Sequence, residues 1–202
     1  MSDLERQFGQ IDIYLFDQLL RGRIRAGMRV LDAGCGSGRN LVYLLQSGVE
    51  VFATDADSGS IDHVRKLAAT LSPDLPAANF RVEPVERMTF ADSFADVVIS
   101  SAVLHFARDH DQFAAMVAEM WRVLKPRGML FARLASSIGM ESRVQTLSDG
   151  RFLLPDGSQR YLVDEERLLT LTGNLGGRLL DPIKTTIVQN QRCMTTWVVQ
   201  KE

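Results

Sequence analysis

Apolar residues recur along this chain in two rhythms. Short runs rich in Val, Ile, Leu and Phe occupy 28–32, 49–55, 79–83, 95–101 and 129–134, the pattern of buried strands. Between them the spacing lengthens to three and four. The segments 41–47, 60–70 and 109–124 each gather apolar residues on one side, as Phe113, Met116, Val117, Met120 and Leu124 do in the last. Asp109 and Asp164 open helices at 109–124 and 164–172, with glycines 173, 176 and 177 ending the second. Two further strands, 183–188 and 193–200, follow with a polar turn between them. Strands alternating with helices predict an α/β fold with a doubly wound, mostly parallel sheet.

Three stretches stand outside that alternation. Residues 4–21 carry a helical stripe through Leu4, Phe8, Ile11, Leu15 and Leu19, read as one or two helices. The loop 72–76 holds two prolines and breaks the chain before strand three. Residues 136–162 are loop-rich, with a hairpin expected about Asp156-Gly157. This insertion follows strand five, so it should lie above the carboxyl edge of the sheet, on the substrate side.

Composition narrows the class. A chain of 202 residues suits a single domain, 1–202, and its 46% hydrophobic and 24% charged residues are ordinary for a globular one. A formal net charge of −2 offers no general attraction to nucleic acid or anionic membrane. No apolar run reaches the ~18 residues of a membrane span. The opening Met-Ser-Asp-Leu-Glu-Arg looks like neither a signal nor a transit peptide, so a cytoplasmic location is expected. Cys35 and Cys193 alone make neither a disulfide framework nor a zinc site, and no metal is expected. A monomer or homodimer is the expected state.

The chemistry concentrates where the first strand ends, at Asp32-Ala33-Gly34-Cys35-Gly36-Ser37-Gly38-Arg39. Alternate glycines let backbone turn tightly and approach a ligand, and a helix start behind them would offer free N–H groups. A dinucleotide loop reads G-x-G-x-x-G; here Arg39 stands where the third glycine would be, and Asp32 points an anion at the pyrophosphate position. A carboxylate repels phosphate and attracts an ammonium or sulfonium, so the spacing favours a cationic nucleoside over NAD. A P-loop is excluded by the lack of G-K-[ST]. Asp55, about 20 residues on at the end of strand two, is placed to accept from ribose hydroxyls. Asp57 is read as a turn residue opening the next helix.

The stretch Val30-Leu31-Asp32-Ala33-Gly34-Cys35-Gly36-Ser37-Gly38 resembles motif I of class I S-adenosyl-L-methionine (SAM)-dependent methyltransferases. The later Arg122-Val123-Leu124-Lys125-Pro126-Arg127-Gly128 resembles that family's R-V-L-K-P-G-G turn. The resemblance covers nearly the whole chain. It implies a Rossmann-like seven-stranded sheet of order 3-2-1-4-5-7-6 with strand 7 antiparallel, and SAM as cofactor. It implies that Asp32, Ala33, Gly34, Cys35, Gly36 and Gly38 hold the methionyl end, Asp55 the ribose and Ala56 the adenine. The family's adenine-binding Asp falls at Pro84, a departure for which Glu83 or the main chain near Val85 could substitute. The same resemblance makes 1–25 a set of lid helices, with Phe8, Tyr14 and Phe16 as lid aromatics or simply core. Arg127 replaces the usual first glycine of the late turn, so the turn need not have φ > 0 there.

The end of strand four should face the transferable methyl, with Ser100, Ser101 and Leu104 lining the pocket. His105, in Val103-Leu104-His105-Phe106, resembles the family's V-L-H-H segment. It could act as a general base, shape the pocket through backbone hydrogen bonds, or face solvent. Arg133, Arg143, Arg151 and Arg160 could recognise an anionic substrate or be solvated. The run Gly38-Arg39-Asn40-Leu41-Val42-Tyr43-Leu44 resembles tellurite- and thiopurine-modifying methyltransferases, and the D/N-P-P-Y/W signature of nucleic-acid enzymes is absent. The expected reaction is methyl transfer from SAM to a small-molecule acceptor. The rival is a non-catalytic SAM-binding or protein-interaction module on the same fold.

Overall fold

The computed structural model describes residues 2–202. Two short helices, α1 (Asp3–Phe8) and α2 (Ile13–Leu20), precede β1 (Arg29–Ala33). Then come α3 (Val42–Gln46), β2 (Glu50–Asp55), α4 (Ser58–Leu71), β3 (Phe80–Val82), β4 (Ala95–Ser101), α5 (His110–Val123) and β5 (Leu124–Ala135). The insertion forms β6 (Gln145–Thr146), β7 (Arg151–Leu153) and β8 (Gln159–Tyr161). The chain closes with α6 (Glu165–Asn174), β9 (Gly177–Leu179), β10 (Lys184–Val188) and β11 (Arg192–Lys201).

The main sheet runs β3-β2-β1-β4-β5-β11-β10, parallel from β3 to β5, with β11 antiparallel between β5 and β10. That is the expected 3-2-1-4-5-7-6 order. One strand is additional: β9 pairs with the end of β11, so glycine 177 begins a strand instead of only ending a helix. Side-chain alternation builds a core on each face. Val30, Val51, Val97, Ile99 and Phe131 pack on one side with Leu15, Leu44, Ile61 and Val64 of α2, α3 and α4. Leu31, Phe52, Val98, Leu130 and Trp197 pack on the other with Phe113, Met120 and Leu168 of α5 and α6. Helices on both faces of a parallel sheet place the ligand crevice at its carboxyl edge.

In the N-terminal segment the three aromatics take the core alternative, Phe8 and Tyr14 each with a partner on the body of the fold. Phe8 stacks on Tyr43 of α3 with ring centroids 5.1 Å apart and meets Phe16 edge-on at 4.9 Å. Tyr14 is bonded through its hydroxyl to Thr186 of β10 at 2.7 Å. These half-buried aromatics thus fasten the N-terminal helices to α3 and the C-terminal hairpin.

The insertion holds the hairpin expected about Asp156-Gly157: β7 and β8 pair antiparallel with Leu153 opposite Gln159. With β6 they form a separate three-stranded sheet. The turn at Arg127 does have φ > 0. Its φ is +64°, so the left-handed conformation persists without the glycine that would adopt it freely. The next residue, Gly128, is held to glycine by space: a Cβ there would lie 2.7 Å from Leu124 and 2.9 Å from the Asp96 carbonyl.

Candidate active site

β1 delivers Asp32 and then turns into the glycine loop. At Gly34 (φ +82°) a side chain would strike Val103 at 2.6 Å, and at Gly38 (φ +79°) it would meet Val64 of α4 at 3.0 Å. The loop is therefore clamped between the β4 exit and α4. Its amides are turned inward. Gly34 and Cys35 both donate to the Thr54 carbonyl, at 2.8 and 2.9 Å. Gly36 donates to the Asp55 carboxylate at 2.8 Å, and Gly38 to the Cys35 carbonyl at 3.0 Å. Turns, and no helix, follow directly: α3 starts only at Val42 and has five residues, so the expected helix start behind the loop is displaced. A loop whose amides are already engaged is not a nest for a pyrophosphate.

Asp32 lies at the start of this loop, 1% exposed, with Oδ2 buried and without a hydrogen-bond partner among the described residues. Burial pushes its carboxyl up to about 7, against the pull of the Arg39 guanidinium and with help from the Asp55 charge. An ionised carboxylate here needs a cation beside it. Cys35 is buried too; desolvation first, then the charges of Asp32 and Asp55, hold its thiol well above the ordinary range. It is inert as a nucleophile.

A cleft of about 530 Å³ opens over the loop. Of the residues expected there, Gly34, Cys35, Gly36, Asp55, Ala56 and Val85 line it. Asp32, Ala33 and Gly38 are buried and do not line it. Ser100 is corrected: it is fully buried away from the cleft, and Ser101 takes the wall position. The alternation of Val97 and Ile99 on one core and Val98 on the other already puts neighbouring serines on opposite faces. Ser101 accepts from Arg39 Nη2 at 2.9 Å.

At the far wall Pro84, Val85, Glu86, Gln112 and Met116 come together. Glu83 does not: its carboxylate accepts from the N–H of Thr89 at 2.9 Å and from that residue's hydroxyl. The polar groups there are Glu86 and Gln112, joined by a 2.8 Å hydrogen bond. Gln112 comes from the first turn of α5, far from the loop in sequence, and no local spacing announces it.

One more residue, Asp12, joins the site without a motif to announce it. Asp12 caps α2 by accepting from Tyr14 N at 3.0 Å, and its own N–H donates to Asn40 at 3.0 Å. Its buried carboxylate also pairs with Arg133 at 2.9 Å and with Arg39 at 3.7 Å. The capping position of Asp12 before an apolar helix was the available signal.

His105 lies outside the cleft, on a second cavity of about 350 Å³ that shares Arg39 and Ala102 with the first. Its Nδ1 accepts from the Ala135 amide at 3.2 Å, which leaves the proton on Nε2. Burial, then the charges of Arg160 and Arg133, push the imidazole down to about 4. The ring is a neutral donor at pH 7. Of the three roles open to it, the hydrogen bond to the Ala135 amide is the one that shapes the pocket through backbone.

The comparisons with known proteins agree with this geometry. The methyltransferase domain family matches residues 31–132, half of the chain. A ubiquinone biosynthesis O-methyltransferase of Brucella anthropi is 28% identical over 164 residues, covering 79% of this chain; the chain spans 64% of that relative's length. A SAM-dependent methyltransferase of Methanosarcina mazei shares the fold with a TM-score of 0.71 at 23% identity, over 91% of this chain and 96% of that one. So does the Burkholderia thailandensis 1,6-didemethyltoxoflavin-N1-methyltransferase, solved with 1,6-didemethyltoxoflavin and S-adenosylhomocysteine. Its TM-score is 0.70 at 19% identity, over 98% of this chain and 81% of that one. Among the described residues no helix is long and apolar enough to cross a membrane. By its sequence match and its sheet order, the chain belongs to the methyltransferase domain family, on the Rossmann-like fold of the SAM-dependent methyltransferases.

Proposed function

We propose that this domain transfers the methyl group of SAM to a small-molecule acceptor. One observation carries the reading: the cleft over the glycine loop adjoins a second cavity of about 350 Å³ across a common wall of Arg39 and Ala102. That second cavity offers room for an acceptor directly beside the cofactor cleft. The chamber is the size of a metabolite, too small for a polymer. The named substrates of relatives point the same way, toward ubiquinone biosynthesis in one and toxoflavin precursors in the other.

The residues fit SAM. The unpartnered Oδ2 of Asp32 suits a cation, and the engaged loop amides disfavour a pyrophosphate. Asp55 would accept from the ribose hydroxyls, having lone pairs left after its bonds to Gly36 and Asp57. Ala56 and Val85 would flank the adenine, with Glu86 and Gln112 offering the polar contacts that Pro84 lacks. When bound, SAM supplies a methyl group already activated by its sulfonium. The chain's own task is to hold an acceptor in line, which contributes on the order of 7–11 kcal/mol in favourable cases. His105 donates from Nε2 to that acceptor and removes no proton from it. The buried free cysteines Cys35 and Cys193 suit a reducing, cytoplasmic setting.

Calorimetric titration with SAM, S-adenosylhomocysteine and NADH tests the cofactor. Both sulfur compounds should bind and NADH should not; Asp55→Ala should weaken SAM at least tenfold, about 1.4 kcal/mol. Binding of NADH alone would overturn the reading of Asp32.

A further inference from the structure

The second cavity has a chemistry of its own. Four guanidinium groups stand on its wall, from Arg39, Arg133, Arg160 and Arg192. Two carboxylates answer them: Asp12, paired with Arg133 at 2.9 Å and Arg39 at 3.7 Å, and Asp156, held ionised by Ser158 and by Arg192 and Arg160. His105 is neutral, so the wall keeps a surplus of two positive charges. Arg160 and Arg192 have no ion-pair partner within 4 Å among the described residues, and the Arg133 Nε is buried without any hydrogen-bond partner. Arg160 is nonetheless placed: its guanidinium lies 4.9 Å from the ring centre of Phe106, a residue of the cofactor cleft. Leu154, Val188 and Met194 supply an apolar side to the same cavity.

We infer that the methyl acceptor is a small, partly apolar molecule bearing an anionic oxygen group, a carboxylate or a phosphate, bound by Arg160, Arg192 and the His105 Nε2–H. This rests on the methyltransferase reading, since it takes the second cavity as the acceptor's. Surplus forked donors in a half-enclosed site match a bidentate oxyanion. A neutral polar acceptor would leave those charges unanswered, and a cationic one would be repelled. Of the four arginines singled out in the sequence, Arg133 and Arg160 line the cavity, while Arg143 and Arg151 do not. Arg39 and Arg192 join them because the glycine loop and the β10–β11 turn converge on the insertion.

Benzoate, phenyl phosphate and the neutral benzamide, titrated into the protein loaded with S-adenosylhomocysteine, test this by calorimetry. At least one anion should bind tenfold or more tightly than benzamide, and which one does so distinguishes carboxylate from phosphate. In the double variant R160A/R192A that preference should vanish, while the affinity for S-adenosylhomocysteine stays within twofold. Equal binding of all three probes, binding of none, or an anion preference that survives in the double variant would overturn the inference with the cofactor reading intact. Failure of S-adenosylhomocysteine to bind the wild-type protein would remove both.

Discussion

Asp32→Asn isolates the energetic cost of the buried carboxylate. In the folded chain Asp32 titrates at about 7, against an ordinary 3.8, with burial as the leading cause. The folded state therefore holds this proton more tightly than the unfolded one. The stability tied to it is full below pH 3.8, falls as pH rises toward 7, and is flat above. At about 1.4 kcal/mol per pH unit the whole loss is on the order of 4 kcal/mol. Roughly 2–3 kcal/mol of that falls between pH 5 and pH 8. Asparagine keeps the shape and cannot ionise, so its offset from the lost carboxyl contacts is the same at every pH. Urea unfolding of both proteins at pH 5 and pH 8, without ligand, gives the double difference. The variant should gain about 2–3 kcal/mol on the wild type in going from pH 5 to pH 8. An unchanged difference would show that Asp32 ionises freely, and the argument that it awaits a cation would fail with it.

Three other outcomes follow from the same geometry. Arg127→Gly should raise stability by about 0.5–1 kcal/mol, because glycine adopts the observed φ of +64° without strain; a loss in urea unfolding would refute the left-handed assignment. Thr172→Val should cost about 1–3 kcal/mol, since the Thr172 hydroxyl accepts from the indole N–H of the fully buried Trp197 at 2.9 Å. A thermal midpoint unaltered by that change would mean the indole finds another partner. The His105 ring should titrate near pH 4 by NMR, and a midpoint between 6 and 7 would restore it as a candidate base.

Much of this molecule is legible in its sequence because one face of each element is buried. Runs such as Val97-Val98-Ile99 can only sit between two layers, and the two cores of the sheet divide them by parity. The glycine loop was legible because its residue types answer local sterics: a Cβ at position 34 has nowhere to go. Contacts set by tertiary packing were not legible. Gln112 reaches the cleft only because α5 crosses the sheet, and Phe8 finds Tyr43 only once α3 is in place. Arg127 misled for a different reason. Its backbone keeps a left-handed conformation that the residue type at 127 disfavours. Ser100 was a parity error that the flanking valines could have prevented.

Several costly features of the chain lie around the two cavities. Asp32 is buried without a partner for Oδ2, and Ala102, on the common wall, has a φ of +66°. The Arg133 Nε is buried and unpaired beside Asp12. Each is unfavourable for folding alone, at about 1–3 kcal/mol apiece for a strained backbone or an unsatisfied polar group. Elsewhere the fold resolves the same problem locally: the Trp197 indole finds Thr172, and Asp57 caps α4. The polar groups left unanswered beside the cavities, Asp32 Oδ2 and Arg133 Nε, are costs that a bound ligand would offset. Their signs differ between the chambers, an uncompensated acid under the glycine loop and surplus bases across Ala102. A cationic cofactor and an anionic acceptor would each complete one of them. Their opposite charges would then draw the two reactants toward the wall they share.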